Sequence, residues 1–410
     1  MVIPRARLFR PTSLAILPCL LGAVLYWWPA NRVAALEGPA AAPEAASVSH
    51  AGSWGVLEES TLVIAPPLDM VPDEWGQPAG VAQPWFFPGT TRDVVEEFLA
   101  SAGLEEDQVS TLMASVHEDA GIKGITLTPT EALLSGLPPD IRARLYNQLA
   151  GSELNVSQAA PFRYMGESVD EWLGPSLISP ATRRIVEPLI YRNGRQLCLA
   201  DTGLVRARIK DPEERRRLAR ALLRQKTSRL RLWVKTLAEV PEIATYWGRG
   251  GRRTDIQPLL ESLAGAGKDS AIDIVHLLPA FARANLYRYP RLTAEDLNRP
   301  ELANCLWTAL NFFNDPPDNR YLDPSTAIER LQRDYYLVHD DFQLGDIVAL
   351  LDERGRIFHT AVYVADHFVF TKNGYSALAP WVLLPLDAVV DYYRVAMEKP
   401  KLLYHRRKDF

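Results

Sequence analysis

The chain has few cysteines, and their spacing fits no known framework. Its 410 residues include three of them, Cys19, Cys198 and Cys305. An odd number at such wide spacings matches neither a zinc site nor a set of disulfides. Cysteine usage therefore indicates no metal site and no redox compartment, and we predict no metal ion or cofactor.

The sequence also lacks an excess of positive charge. Its 45 lysines and arginines are outnumbered by 50 aspartates and glutamates, giving a net charge of −5. This balance argues against nucleic acid as a partner. A hydrophobic fraction of 47% and a charged fraction of 23% are ordinary for globular proteins and exclude wholesale disorder. The length allows two or three domains.

Two segments that hint at binding anions have simpler interpretations. Lysines and arginines are dense between Arg215 and Lys235, but Leu218 and Leu222 lie among them at helical spacing. This pattern predicts the solvated face of an amphipathic helix rather than a site for an anionic partner. The glycine-rich segment 248–253 lacks the Lys-Ser/Thr pair of a P-loop and follows no predicted strand, so we predict a loop.

The N-terminus has the pattern of an export signal. Three arginines within the first ten residues precede an apolar stretch from Leu14 to Trp28, as in a secretory signal or an N-terminal anchor. The stretch is short for a membrane span, and small residues at 33–35 suit cleavage. Trp27 and Trp28 suit the interfacial belt of an anchor. Residues 1–35 are therefore predicted to be a signal peptide or an anchor.

Residues 36–53 are rich in alanine, proline, serine and glycine, which predicts a linker. Together with the N-terminal pattern, this linker indicates a protein exported to the periplasm or cell envelope. Anchoring to the inner membrane through the N-terminal segment is the alternative to cleavage.

The rest of the chain divides into three predicted regions, which together indicate an α+β fold. Residues 54–161 read as mostly helical. Residues 162–293 contain a strand-turn-strand pattern at an Asn-Gly dipeptide. Residues 294–410 begin with a helix and continue into strand patterns, which predict a small antiparallel sheet behind that helix. The strand patterns lie at residues 347–351, 357–365 and 367–371. Neither of the first two regions indicates a role.

Residues with chemical potential concentrate in the third region. Cys305 opens an apolar helical pattern, and His359 begins a strand pattern 54 positions later. A thiol becomes a useful nucleophile when a helix N-terminus or an imidazole lowers its pKa. The pair therefore predicts a nucleophile and its base. The alternative is that Cys305 is a core residue beside Leu306 and Trp307, because free cysteine is among the most buried residue types.

Three elements of this region, taken in order, resemble the NlpC/P60 superfamily of papain-like cysteine peptidases. They are Asn304-Cys305 at a helix start, Gly345-Asp346-Ile347 at a strand start and His359-Thr360-Ala361-Val362-Tyr363 along the next strand. The resemblance covers about the last quarter of the chain. It implies a cysteine nucleophile on a helix packed against a sheet that presents the histidine. It also implies cleavage of peptide or isopeptide bonds, often in cell-wall stem peptides.

The resemblance further implies a third polar residue on the strand after His359. Strand alternation places His367, Thr371 and Asn373 on one face of that strand. Thr371 fits by position, whereas Asn373 fits by chemistry, because an amide oxygen can accept from the imidazole and fix its tautomer. Both remain candidates.

Two further residues are candidates for oxyanion binding or for positioning the site. Asn304 precedes the nucleophile and is predicted to cap its helix. Tyr289 is a candidate for the upstream tyrosine that helps to position the site in the NlpC/P60 superfamily.

Taken together, these expectations predict an exported cysteine hydrolase that cleaves amide bonds, with a peptide or a cell-wall stem peptide as substrate. Two other functions fit the same sequence. One is a non-catalytic envelope binding or scaffold protein on a degenerate papain-like fold. The other is an acyl or amide transferase, because a Cys–His site also catalyses transfer when water is excluded.

Cell fractionation tests the export prediction. We expect the protein outside the cytoplasm or in the membrane fraction. A mature chain that begins after about residue 35 would indicate a cleaved signal, and an intact Met1 in membranes would indicate an anchor. A full-length chain in the soluble cytoplasmic fraction would contradict both forms of the prediction.

Overall fold

The computed structural model describes most of the chain beyond the N-terminal segment. The described residues are 47–48, 51–72, 83–119, 121, 123–174, 177–266, 270–291, 302–373, 378–393 and 400–410. All of them belong to a unit that spans Glu44–Phe410, and a first unit, Met1–Pro43, contains none of them. The predicted signal or anchor therefore lies outside the described residues.

No helix in the described ranges is long and apolar enough to cross a membrane.

Helices and strands alternate along the described chain, which confirms the predicted α+β class. The helices are α1 (Arg92–Ser101), α2 (Glu106–Ala114), α3 (Glu131–Gly136), α4 (Pro139–Leu149), α5 (Val156–Ala159), α6 (Val169–Leu173), α7 (Pro180–Val186), α8 (Thr202–Arg208), α9 (Pro212–Leu222), α10 (Val240–Trp247), α11 (Arg253–Gly265), α12 (Ala280–Asn285), α13 (Cys305–Leu310), α14 (Pro324–Asp334) and α15 (Leu386–Tyr393). The strands are β1 (Ser47–Val48), β2 (Val56–Ile64), β3 (Trp85–Phe87), β4 (His117–Asp119), β5 (Gly124–Leu127), β6 (Phe162–Met165), β7 (Tyr191–Asn193), β8 (Gln196–Leu199), β9 (Gln225–Trp233), β10 (Ala271–Asp273), β11 (Tyr335–Val338), β12 (Ile347–Leu351), β13 (Ile357–Ala365), β14 (Phe368–Lys372), β15 (Trp381–Pro385) and β16 (Lys401–Arg407).

Within the described ranges, these strands form four antiparallel sheets. Their strand orders are β1-β2-β9-β10, β3-β5-β4, β6-β8-β7 and β11-β16-β12-β13-β14-β15. The six-stranded sheet contains the strands predicted for the last region. Two of these, β12 and β13, have the predicted bounds. The third, β14, begins at Phe368, because Asp366 turns the chain with a φ of 54° before it.

The basic run does not form one solvated helix face. Helix α9 ends at Leu222, and the rest of the run continues into strand β9. Arg215 is buried and donates to the carbonyl of Ile209 at 2.5 Å. Arg220 donates to the carbonyl of Pro66 at 2.9 Å, and Arg224 to that of Trp172 at 2.6 Å. The prediction of a solvated face is therefore wrong for these arginines, whose guanidinium groups bind the backbone of neighbouring segments.

Two large hydrophobic cores draw on different parts of the chain. One core draws on residues 85–222 and includes the fully buried Trp85, Tyr146 and Trp172. The other combines Leu57 with residues 230–383. The predicted boundaries at 161/162 and 293/294 each fall inside the sequence range of one core.

The six-stranded sheet is covered on both faces. Ile347, Val362, Phe370 and Leu383 belong to the second core, which also includes α13. The alternate positions Val348, Ala361, Val369 and Leu384 pack in a separate cluster with Val389 and Tyr393 of α15. We call these the α13 face and the α15 face. Successive side chains along β12, β13 and β14 are thereby directed to the two faces in turn.

Hydrogen bonds join this sheet to the earlier part of the chain. The hydroxyl of Thr227 on β9 accepts from the backbone amide of Leu383 at 2.9 Å and donates to its carbonyl at 3.0 Å. Gln196 on β8 donates to the carbonyl of Asp391 on α15 at 2.8 Å. Both the edge strand β15 and helix α15 are therefore fixed from outside the last region.

The Gly-Asp element before β12 has a structural explanation. Gly345 has a φ of 93°, and a Cβ there would lie 2.1 Å from the Phe313 ring, so only glycine fits. The carboxylate of Asp346 is buried and accepts from Arg406 on β16 at 2.8 and 2.9 Å. It also accepts from the backbone amide of Gln343 at 2.8 Å. This element therefore joins the turn before β12 to strand β16.

Replacing Asp346 by Asn should strongly destabilise the fold. The change leaves the Arg406 guanidinium without its charged partner in a largely buried place, which costs about 3–5 kcal/mol. Chemical denaturation of the purified chain measures the loss. Asp387→Asn is the matched control, because its ion pair with Arg195 is solvent-exposed on both sides and should contribute little. Equal losses in the two variants would contradict this assignment.

Candidate active site

Cys305 is the first residue of helix α13, as predicted. The side chain of Asn304 caps this helix by accepting from the backbone amide of Trp307 at 2.9 Å, which confirms the capping prediction. Asn304 is exposed and Cys305 is half-buried, whereas the residues from Leu306 to Leu310 are buried. The thiol therefore lies where the core meets the surface.

His359 lies on the α15 face of the sheet. It pairs with Leu350, which packs in the cluster that contains α15. Its ring stacks on Tyr393 of α15, with centroids 4.3 Å apart, and its Nε2 is 2.9 Å from the Thr371 hydroxyl. The residue is buried, and this burial lowers its pKa to about 3. His359 is therefore a neutral core residue over the whole physiological range.

Cys305 faces the other side of the sheet. Its sulfur interacts with the backbone amide and hydroxyl of Thr360, both of which lower the thiol pKa. Thr360 follows His359 directly in β13, and successive residues of a strand point to opposite faces. The structure thus does not bring Cys305 and His359 together, and the predicted dyad is not formed.

The other candidate residues gather around His359 or lie in the core. Thr371 contacts the imidazole, and it donates to the Asn373 amide oxygen at 3.3 Å. Position therefore selects Thr371 over Asn373 as the direct partner of His359. The Tyr289 hydroxyl is 2.6 Å from the carbonyl of Leu223 and 3.2 Å from that of Ile64. Tyr289 joins α9 and β2 and does not position the cysteine.

Lys372 lies on the α13 face and was not predicted as a site residue. It is 3% exposed, pairs with Trp381 of β15, and places its Nζ 5.7 Å from the Trp381 ring centroid. The indole of Trp381 donates to the Thr308 hydroxyl on α13 at 3.1 Å. Lys372 and Cys305 therefore approach the same part of the sheet, one from β14 and the other from α13.

Burial shifts the pKa values of Lys372 and Cys305 so that each group favours its neutral form. It lowers the pKa of Lys372 to about 8, and the nearby Cys305 thiolate opposes this shift. It also raises the pKa of the Cys305 thiol, which Thr360 opposes. The resting pair at neutral pH is a thiol beside an amine that releases its proton far more readily than an exposed lysine.

The sequence held no local signal for Lys372. Its alternation partners on β14 are Phe368 and Phe370, so a lysine at the strand end is typical of a chain that returns to solvent. Only the pairing of β14 with β13 and β15 places it beside α13. Within the described ranges, no group of three or more histidine, cysteine, aspartate and glutamate side chains could hold a metal ion.

No protein-family model, curated protein or solved structure matches this chain. The resemblance to the NlpC/P60 superfamily therefore rests on the motifs quoted above and stays a prediction.

Replacing His359 by Gln should change how stability depends on pH. The folded-state pKa of about 3 lies below the ordinary value of 6.5, so the unfolded chain binds the extra proton. The neutral ring makes its full contribution to the free energy of unfolding above pH 6.5. This contribution decreases as the pH falls toward 3, by up to about 1.4 kcal/mol per pH unit. Thr371, Asn373 and Tyr393 surround the ring and stay uncharged in that range.

Denaturant titrations between pH 3.5 and 7.5 measure this slope. The slope should be smaller in His359→Gln than in the wild type, whatever the offset between the two curves. His367→Gln is the matched control, because His367 is about half exposed and pairs with Asp366. An unchanged slope in His359→Gln would show that His359 is not buried in its neutral form.

Proposed function

We propose that the protein is a thiol-dependent enzyme that cleaves amide bonds with Cys305 as the nucleophile. The observation that carries this proposal is the placement of Cys305. It is a half-buried thiol beside the second core, and it interacts with a buried hydroxyl and with the charge of a buried lysine. A cysteine that served packing alone would need neither polar neighbour, because apolar contacts suffice for a small hydrophobic side chain.

Cys198 shows what a structural cysteine looks like in this protein. It is 1% exposed within the first core, and burial raises its pKa to about 12. A thiol with that pKa holds almost no thiolate at neutral pH and is chemically inert. Cys305 differs in being half-buried rather than buried, and this difference in exposure supports a chemical role for it.

The motif resemblance supports amide bonds as the reaction class and cell-wall stem peptides as the first substrates to test. The predicted export fits such a substrate. In this proposal the regions before residue 294 present the last region to the envelope, and α15 and β15 are the points where they hold it.

A second candidate is a non-catalytic envelope binding or scaffold protein. The position of His359 favours it, because a papain-like site without its histidine on the nucleophile's face lacks the base that the motifs imply. In this case Cys305 would be unreactive, and the two candidates therefore differ in a measurable way.

Thiol labelling and product analysis test the proposal with a matched pair of variants. Wild-type protein, Cys305→Ala and Cys198→Ala are treated with iodoacetamide at pH 8 and, separately, with purified peptidoglycan stem peptides. We expect labelling at Cys305 and cleaved amides in the wild type and in Cys198→Ala, and neither in Cys305→Ala. Added amine should leave the products unchanged for a hydrolase and give amine adducts for a transferase.

Equal labelling of Cys305 and Cys198, or amide cleavage that survives in Cys305→Ala, would overturn the assignment. No labelling of native wild-type protein, together with no cleavage, would favour the scaffold candidate.

A further inference from the structure

The strand register places Lys372 and Thr360 opposite each other on the α13 face. Phe370 on β14 pairs with Val362 on β13. Two positions further along each strand, the same antiparallel register aligns Lys372 with Thr360. Both residues are buried, and both interact with Cys305. One nucleophilic, one cationic and one hydroxyl side chain are thus neighbours on the α13 face.

Thr360 provides an independent sign of a ligand. It is 1% exposed, and its Oγ1 has no nitrogen or oxygen partner among the described residues. A buried hydroxyl without such a partner is destabilising, and a thiol sulfur is only a weak acceptor. Because the hydroxyl interacts with the Cys305 sulfur, an oxygen atom of a molecule attacked by that sulfur would lie within its reach.

The contacts of Lys372 hold its ammonium group near this point. Its neighbour on β15, Trp381, offers an aromatic face to the cation and bonds through its indole to Thr308 on α13. Neither Thr360 nor Trp381 carries a charge, and Cys305 on α13 is a titratable group that acts on Lys372. A Cys305 thiolate therefore helps to balance the charge of Lys372.

We infer that Lys372, and not His359, is the base that takes the proton of Cys305, and that Thr360 donates to the oxygen of the acyl group under attack. This inference rests on the proposed function. It assigns the role of acid–base group to Lys372 on β14, a residue that the sequence motifs do not predict, instead of to His359 on β13.

The reaction balances with these groups and an acyl compound. The Cys305 S–H proton moves to the neutral Nζ of Lys372, and a bond forms between sulfur and the carbonyl carbon. The bond from that carbon to the leaving nitrogen breaks, and the Lys372 ammonium returns the proton to the leaving amine. Water then attacks the thioester carbonyl and gives one proton to Lys372. The carbon–sulfur bond breaks, the carboxylic acid leaves, and the Lys372 ammonium returns the proton to sulfur to restore the thiol.

Two substitutions of Lys372 separate its charge from its capacity to accept a proton. Lys372→Met removes the charge and fills a similar volume. An opposite charge at close range lowers a thiol pKa by about 1–3 units, so alkylation of Cys305 by iodoacetamide at pH 8 should slow roughly tenfold or more. Lys372→Arg keeps the charge but cannot accept a proton. It should keep most of the alkylation rate and lose thioester formation with p-nitrophenyl acetate.

His359→Gln is the matched control, because His359 is the polar residue that β13 buries on the opposite face. It should keep the wild-type alkylation rate across pH 6–10 and the wild-type rate of thioester formation. Thr360→Val should keep alkylation and slow thioester formation, since only the second reaction develops charge on an oxygen. Thermal unfolding of each variant shows whether the fold is retained, and Lys372→Arg supplies a second lysine variant should Lys372→Met not fold.

The pH profile of alkylation is the deciding measurement. A profile in Lys372→Met that moves to higher pH supports the inference, and a profile identical to the wild type overturns it. Loss of reactivity in His359→Gln with a retained fold overturns it as well. A further outcome is an alkylation profile of Lys372→Met that shifts to higher pH while wild-type protein forms no thioester on Cys305. That result would contradict the proposed enzymatic function and would still support the pairing of Lys372 with Cys305.

Discussion

The structure of the last region depends on the alternation of β13 between two buried faces. His359, Ala361 and Tyr363 pack toward α15, and Thr360 and Val362 pack toward α13. Because both faces are covered, a shift of one residue would move every one of these side chains to the wrong core. The register is therefore held by the packing on both sides of the sheet. That register alone decides which polar residue of the strand meets the cysteine.

Much of the local structure follows from the sequence, and the arrangement of the site does not. The Asn304 cap, the bounds of β12 and β13, and the hairpin of β7 and β8 each follow from a few adjacent residues. No local sequence pattern predicts which side chains of β13 point to which face of the sheet. A strand buried on both faces is a continuous apolar run without polar alternation. Lys372 was missed for a related reason, since its neighbours come from β13 and β15 through pairings that no local pattern specifies.

The buried charges of this protein are of two kinds. Asp346 and Arg406 form two hydrogen bonds, and the fully buried Arg142 pairs with Asp201, which also accepts from the Tyr146 hydroxyl at 2.6 Å. Such satisfied pairs fix the position of one segment against another. At Lys372, burial weakens the hold of the amine on its proton, and the Cys305 thiolate is a group that opposes this effect. A lysine that is buried at a cost in stability, beside a nucleophile, is typical of a functional site.

Burial also reconciles the two interpretations of Cys305 as a core residue and as a nucleophile. The packing that makes Cys305 resemble a core residue raises its pKa, and the same packing lowers the pKa of Lys372 to about 8. Both shifts favour the neutral thiol and the neutral amine. The lowered pKa of Lys372 lets its amine lose its charge near neutral pH, and a general base must be in this form to accept a proton. A group with a pKa of about 3, such as His359 in this fold, holds a proton too weakly at neutral pH to take one from a thiol. In the proposed mechanism, the hydrophobic core therefore favours the lysine over the histidine as the base for Cys305.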